Sequence, residues 1–478
     1  MLRFFLLSCF FVGILFQGLF RAAVLNVPSQ YSSIQAAINS AQNGDTVLAA
    51  EGTYFENINF SGKNIVVASI YILDQDPMHI VNTVINGSRP FSPDSASCVR
   101  IVSGEDSTAI LCGFTITGGT GTKWIDEHGA GVYREGGGII ITLSSPTIRD
   151  NLIINNEAID RTGVTSAGGG GIRAGDSNAH LYNNIIANNK GHYGAGVVWN
   201  YATGEMKNNI IINNSGGEDF GGGGVWTLAL GATIIENNVI AFNSVTGSGG
   251  NKGKGGGILV WSTLIKAKNN IIWGNMQTSG DQICLTGSSS ADVTYSDVEG
   301  GFTGEGNLNE DPVLSEDIYL PGANTGCIDG GDPNPVFNDP EDPANPGFAL
   351  YPSQGTTRND MGAYGGSISK LLPQIVTEIK EKRTGNNVPK DFYLYQNYPN
   401  PFNPETTIKF SVPSKSYVSL KIYNILGKQV AELINNEKQE GIYSVNFNSS
   451  DYGLSTGVYF CELESGNFLS TRKLLLLK

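Results

Sequence analysis

The fold of this chain is decided by a repeat that first reads GGGIIITLSSPTIRDNLIINN over residues 136–156 and next reads GGGGIRAGDSNAHLYNNIIANN over residues 168–189. Each copy joins a glycine run that enters an apolar strand to a second strand of the form N-[LIV]-I-x-x-N. Five copies follow one another. Their final glycines are Gly138, Gly171, Gly196, Gly224 and Gly257, and their leading asparagines are Asn151, Asn184, Asn209, Asn238 and Asn270.

The spacing within the repeat is constant on one side only. From final glycine to leading asparagine the offsets are 13, 13, 13, 14 and 13, whereas from each asparagine to the next final glycine they are 20, 12, 15 and 19. A fixed half and a variable half are typical of stacked coils that share one rigid wall and carry loops at one edge.

Three consequences follow for side chains within the coils. The residue after each final glycine is expected to point inward and the next one outward, since side chains alternate along a strand. The leading asparagine is expected at a sharp bend in the left-handed conformation, and stacked asparagines are expected to form an amide ladder. The first outward column reads Ile140, Arg173, Val198, Trp226 and Leu259, and the second reads Thr142, Gly175, Asn200, Leu228 and Trp261.

Composition narrows the class of protein. The chain has 478 residues, of which 62 are glycine and only 15% are charged, so a folded solenoid is favoured over a disordered chain. The net charge of -14 argues against a nucleic-acid partner, because phosphate binding needs a basic face. Apart from Cys9, five cysteines occur at spacings that form no metal motif, which predicts buried unpaired thiols.

The segment before the repeats predicts a capped end. In VPSQYSSIQAAINSAQNGDTVLAAEGTYFENI, residues 27–58, Ser32 or Ser33 can cap a helix whose apolar residues fall on one face. This segment resembles the N-terminal cap of pectin-lyase-like right-handed parallel β-helices. The resemblance implies an all-β fold with a single-stranded right-handed parallel β-helix and an N-terminal capping helix, over residues 24–370, but no particular activity.

Residues 123–135 form an insertion before the first regular glycine run. Its Trp124, Ile125, Asp126 and His128 partly resemble the W-I-D-H element of pectate lyases, in which the aspartate helps to bind calcium. Glu127 interrupts the element, and no R-x-P-x-x-R element follows. The expectation is therefore that this match is accidental.

The segment after the last coil offers a candidate metal site. Asp329, Asp332 and Asp339 lie in an Asp- and Asn-rich loop and supply the hard oxygen ligands that calcium prefers. The alternative is a series of Asx-Pro turns. Calcium is the one cofactor that the sequence suggests, and it would stiffen the cap of the coil.

The two ends of the chain predict export. Residues 1–23 have a basic start, an apolar run and small residues for cleavage, which indicates a signal peptide. The rest of the sequence has no stretch long and apolar enough to span a membrane.

Residues 371–390 are a charged linker. The motifs NYPNPFNP, IYNILGKQV and GVYF in residues 391–478, an expected immunoglobulin-like β-sandwich, resemble the type A C-terminal sorting domain of the type IX secretion system. The resemblance implies handling by that machinery and a location outside a diderm bacterium, reached through the periplasm.

Candidate functional residues are those that break the regularity of the coils. Arg173, Asn200, Trp226 and Trp261 are expected on the exposed outward face, where aromatic rings stack on sugars and a cation meets an acidic group. The loops beside it supply candidate catalytic groups. A lyase needs a base such as Lys190, His192 or Arg173, and a hydrolase needs two opposed carboxylates, for which Asp160 with Glu218 or Asp219 are the candidates.

Two functional hypotheses stay open. The first is a non-catalytic β-helix that binds polysaccharide or another surface ligand. The second is a polysaccharide lyase or glycoside hydrolase that uses the first-strand groove. The first is favoured, because the sequence contains no complete catalytic set.

Overall fold

The computed structural model describes residues 22–228, 232–315, 317–373, 392–394, 397, 402–466 and 468–476. The chain divides into two compact units, residues 1–375 and 376–478. Nearly all of the predicted signal peptide and linker falls outside the described residues.

The first unit is a parallel β-helix, as the repeat predicts. The coils contribute one strand to each of three long parallel sheets. These are called the first-, second- and third-strand sheets, in the order of their strands along a coil. The first-strand sheet contains Ile58–Asn59, Val99–Ile101, Ile139–Thr142, Ile172–Gly175, Val197–Asn200, Val225–Leu228, Ile258–Trp261 and Ile283–Thr286.

The other two sheets complete the wall of the solenoid. The second-strand sheet contains Val24–Val27, Thr46–Ala49, Val66–Ser69, Ile110–Cys112, Thr147–Arg149, His180–Tyr182, Glu205–Lys207, Ala232–Glu236, Leu264–Lys268 and Ser290–Thr294. The third-strand sheet contains Gly52–Tyr54, Thr83–Asn86, Thr115–Thr117, Leu152–Ile154, Ile185–Ala187, Ile210–Ile212, Val239–Ala241, Ile271–Trp273 and Asp297–Val298.

Two smaller sheets lie outside these walls. A parallel sheet at the loop edge contains Glu157–Ala158, Lys190–Tyr193, Ser215–Gly221 and Ser244–Val245. The other contains Ser95–Ala96, Gly121–Ile125, Val132–Glu135 and Ser166–Gly168.

Glycine runs are needed because neighbouring coils approach closely where the chain enters the first strand. Gly136 adopts the left-handed conformation, with φ of 63°, and a Cβ on Gly138 would stand 2.6 Å from the carbonyl oxygen of Gly171 in the next coil. The predicted inward column, from Ile139 to Ile258, lies in the core of the coil.

Two asparagine ladders run along the coils at the ends of the third strands. In the first ladder each amide Nδ2 donates to Oδ1 of the next rung at 3.0–3.1 Å, from Asn151 through to Asn270. A second ladder, from Asn156 to Asn275, repeats this geometry. The predicted ladder is confirmed, and the second adds to it.

The expected backbone conformation of the leading asparagine is wrong. The left-handed residue is the one before it, as at Asp150 (φ 58°), Asn183 (φ 52°) and Asn208 (φ 56°). The bend precedes the ladder residue because the ladder side chain must turn inward to reach the next coil.

The N-terminal cap matches the sequence. Helix Ile34–Ser40 begins after Ser33, whose hydroxyl accepts a hydrogen bond from Ala36 N at 3.1 Å. Ile34, Ala37 and Ile38 are buried against the core of the first coils. Two further short helices, Tyr71–Asp74 and Met78–Asn82, and the 3-10 turn Pro335–Phe337 complete this unit.

The five cysteines expected as buried thiols are all free and buried. They are Cys98, Cys112, Cys284, Cys327 and Cys461.

The second unit consists of antiparallel sheets around its own apolar core, which fits the predicted immunoglobulin-like sandwich. Its strands are Tyr393–Leu394, Glu405–Val412 and Gly441–Asn448 in one sheet, and Ser416–Asn424, Gln429–Lys438, Gly457–Ser465 and Phe468–Leu476 in the other, with the 3-10 turn Ser449–Tyr452.

Candidate functional site

The outer face of the first-strand sheet is partly covered by the insertion before the first regular repeat. Strands Gly121–Ile125 and Val132–Glu135 pair in antiparallel register and form a covering hairpin. The loop of this hairpin contains Asp126, Glu127 and His128. The covering hairpin, which is not part of the repeat, therefore places charged side chains at one end of the outer face of the first-strand sheet.

Arg173 lies beneath the covering hairpin and is 0% exposed. Its Nη2 is 3.2 Å from Glu127 Oε2, and its Nε is 3.0 Å from Glu135 Oε2. The expectation of an exposed cation is wrong, because two carboxylates already neutralise this guanidinium. Burial lowers the pKa of Arg173, but the charges of Glu135 and Glu127 outweigh that effect and raise it.

Glu135 is a buried carboxyl at the base of the hairpin. It accepts a hydrogen bond of 2.5 Å from the hydroxyl of Tyr193, and burial raises its pKa despite the nearby Arg173 charge. Tyr193 in turn fits over Gly168, where a Cβ would stand 2.6 Å from its ring. Glu135 is thus a structural partner of Arg173 with little access to solvent.

Glu127 is the partner that reaches the surface, with a side chain 14% exposed. Its Oε1 accepts hydrogen bonds from the Thr142 hydroxyl and from Trp124 Nε1, the latter at 2.7 Å. Burial opposes ionisation of Glu127, but the charge of Arg173 and the Thr142 hydrogen bond outweigh it and lower the pKa.

Asn200 lies one coil beyond Gly175 on the same outer column. It is 7% exposed, so its expected free exposure is wrong, and its Nδ2 donates to Asp126 Oδ2 at 3.3 Å. His128 contacts Asp176 Oδ1 through Nε2 at 3.0 Å and stacks on the ring of Tyr201 at 3.6 Å between centroids. The tip of the hairpin therefore forms a polar end of the outer face.

The other end of the outer face is aromatic. Trp226 is only 4% exposed, so its expected free exposure is wrong; it packs between Tyr193, at 5.4 Å, and Trp261, at 6.0 Å between centroids. Trp261 and Phe220 are half-buried, with centroids 6.1 Å apart, and they present ring surface to solvent. Trp261 is thus the half-buried indole at the aromatic end of this face.

The loop residues expected as catalytic groups lie at the loop edge and not beside Arg173. Asp160 Oδ2 is 3.4 Å from Arg134 Nη2, whereas Glu218 and Asp219 share Arg161, at 3.6 and 2.9 Å. His192 Nδ1 is 2.9 Å from Glu218 Oε2, and Lys190 is exposed. Each carboxylate expected to act in an opposed pair is instead matched to an arginine.

The aspartates expected to bind calcium make local hydrogen bonds and an ion pair. Asp329 accepts from Thr356 N at 2.9 Å, Asp332 pairs with Lys268 Nζ at 2.5 Å, and Asp339 accepts from Gly366 N at 2.5 Å. Within the described residues, no group of three or more His, Cys, Asp or Glu side chains is placed to hold a metal ion. Asp332 also caps the turn at Asn334, as the alternative of Asx-Pro turns predicts.

The residues that sequence reasoning missed are Asp126, Glu127 and Glu135. Their segment, residues 123–135, contains no repeat, and its partial W-I-D-H element gives no indication that Glu127 and Glu135 contact Arg173. The available signal was the position of the insertion, directly before a coil whose outward column contains an arginine, since a buried arginine requires carboxylate partners.

Comparison with known proteins identifies the second unit. Residues 396–477 match the family described as the secretion system C-terminal sorting domain. No curated protein matches the chain. The match confirms a type IX sorting domain and a protein exported to the outer surface or the surroundings of a diderm bacterium. Among the described residues, no helix has the length and apolar character of a membrane span.

Proposed function

We propose that the exported β-helix binds carbohydrate on the outer face of its first-strand sheet and does not cleave it. The observation on which this rests is the juxtaposition of the half-buried rings of Trp261 and Phe220 with the polar end formed by Asn200 and Asp126. Asn200 and Trp261 are two coils apart on one column, roughly 10 Å at the spacing of parallel strands.

The chemistry of this face suits a sugar. An aromatic ring offers a flat apolar surface to the C–H groups of a pyranose, while carboxylate and amide oxygens accept hydrogen bonds from its hydroxyls. The two kinds of group lie along the axis of the coils, so that an extended chain can contact both.

A glycoside hydrolase is the second candidate, favoured by one observation. Glu127 and Glu135 contact the same guanidinium, and their pKa values are shifted in opposite directions, as in acid–base carboxylate pairs. The burial of Glu135, 4% exposed, argues against its contact with a substrate. A lyase has less support, because the charge of Arg173 is already neutralised.

Binding is tested with the purified protein by affinity electrophoresis through gels that contain neutral, amino or acidic polysaccharides. We expect retardation in at least one gel, and loss of that retardation in Trp261→Ala. Trp273→Ala is the matched control, because Trp273 is a half-buried tryptophan on the third-strand sheet. Equal retardation of both variants would contradict the proposal.

Catalysis is tested by incubating the same polysaccharides with the protein and measuring new reducing ends and unsaturated uronates. We expect neither product. New reducing ends that disappear in Glu127→Gln would establish the hydrolase instead.

A further inference from the structure

The polar end of the outer face contains two buried oxygen atoms that lack a hydrogen-bond donor. These are Asn200 Oδ1 and Asp176 Oδ2. Unpaired buried acceptors are uncommon, since each loses hydration without a replacement. A ligand that donates a hydrogen bond to each atom would therefore satisfy both of them.

The two residues are neighbours on successive coils. Asp176 N donates to Asn200 O at 3.0 Å. The rest of each side chain is fixed by the covering hairpin, since Asn200 Nδ2 donates to Asp126 and Asp176 Oδ1 contacts His128. The free oxygens thus belong to side chains held in place beside the loop of the hairpin.

The charges at this end exclude an acidic ligand. Asp126, Glu127 and Asp176 are carboxylates, and the positive charge of Arg173 is shared between Glu127 and Glu135. Arg100, the other arginine of the outward column, lies two coils before Arg173 and three before Asn200. At this end of the face a uronate or sulfate would meet three carboxylates, and like charges in a partly buried site repel strongly.

We infer that the polar end of the outer face selects sugars without acidic groups, and that hydroxyl or ammonium groups of the sugar donate hydrogen bonds to Asn200 Oδ1 and Asp176 Oδ2. This inference rests on the proposed function and adds its ligand class. It departs from the expectation that an exposed arginine recognises an acidic sugar.

The test compares three polysaccharides in titrations with the purified protein: xylan, which is neutral, chitosan, which carries ammonium groups, and polygalacturonate, which is acidic. We expect binding to xylan or chitosan and none to polygalacturonate. Xylan and chitosan separate hydroxyl donors from ammonium donors. Asn200→Ala should weaken the observed binding about tenfold, the effect of one lost hydrogen bond of roughly 1.4 kcal/mol.

Two further variants keep the result interpretable. Asn178→Ala, an exposed asparagine in the turn after strand Ile172–Gly175, should bind like the unaltered protein. Asp176→Asn retains the shape of the site if Asn200→Ala fails to fold, and it should weaken chitosan binding most, because it removes a negative charge.

The outcomes separate this inference from the proposed function. Polygalacturonate bound as tightly as xylan or chitosan, with binding lost in Trp261→Ala, would overturn the inference and leave carbohydrate binding in place. Unchanged affinity in both Asn200→Ala and Asp176→Asn would also overturn it. Failure to bind any of the three, or binding that Trp261→Ala does not alter, would remove the proposed function and the inference together.

Discussion

The guanidinium of Arg173 lies in space that Gly175, two residues later on the same strand, leaves open. A Cβ on Gly175 would stand 2.1 Å from Arg173 Nη1. The arginine side chain therefore lies along the strand and beneath the covering hairpin, within reach of both Glu127 and Glu135.

Gly175→Ala is expected to displace this guanidinium and destabilise the β-helix by about 1–3 kcal/mol, the usual cost of overpacking. Gly175 does not adopt a left-handed conformation, so the clash is the main cause. Urea unfolding measures the change. In an Arg173→Ala background the same substitution should cost far less; equal costs in both backgrounds would contradict the contact.

Tyr193→Phe is expected to lower the free energy of unfolding by roughly 1.5–3 kcal/mol, because the hydroxyl donates to the buried carboxyl of Glu135. Thermal unfolding provides the measurement. Tyr133→Phe is the control, since Tyr133 packs edge-on against the Tyr193 ring at 6.3 Å and is not the donor to Glu135. A loss of similar size in the control would refute the assigned role of the hydrogen bond.

Asn209→Ala is expected to be among the most destabilising single changes in the coils. Its Nδ2 donates to Leu181 O and to Asn238, and its Oδ1 accepts from Asn184, so the substitution leaves several buried groups unpaired at about 1–3 kcal/mol each. Asn345→Ala, in an exposed loop, is the control. Chemical denaturation of both variants tests the prediction, which a small loss at Asn209 would contradict.

Asp297 should make stability fall as the pH rises. Burial raises its pKa from 3.8 to about 6, so its contribution is fully present below pH 4 and is lost as the pH passes 6. The loss is on the order of 1–3 kcal/mol.

The unfolding midpoints of the wild-type protein and Asp297→Asn should therefore converge at low pH and separate near pH 8, where the variant is more stable. Its amide oxygen can still accept from Glu310 N. The exposed Asp292→Asn is the control. Parallel midpoints of wild type and Asp297→Asn across this range would be evidence against the shift.

The sequence predicts the scaffold well because every coil repeats the same physical requirement. A glycine such as Gly138 is needed where carbonyl groups of adjacent coils approach, and Asn151 is needed to join its coil to the next, so both recur at fixed spacing. Helix Ile34–Ser40 is predicted for a similar reason, since its cap and its apolar face are local signals.

The site is predicted only in part because it is made of contacts that do not repeat. The direction of Arg173 and Trp226 follows from strand alternation, but their burial depends on a hairpin that folds back over the sheet and on Tyr193 and Phe220 from later loops. Which charges meet across such a fold cannot be inferred from spacing. Asp160 and Glu218, for example, are matched to arginines that the repeat does not position.

The asparagine ladders end before the solenoid does, because three strands of the third-strand sheet precede the coil of Asn151 and one follows the coil of Asn270. At one end Asn270 N donates to Ser296 Oγ at 3.1 Å and Asn275 Nδ2 donates to Gln282 Oε1 at 2.8 Å; at the other, Asn151 and Asn156 accept from Phe114 N and Gly119 N. A serine, a glutamine and main-chain amides thus take over from asparagine where the ladders end. The ladders therefore tie together the middle coils, whereas the first coils are covered by helix Ile34–Ser40, whose buried face shields the stack from pairing with a second copy.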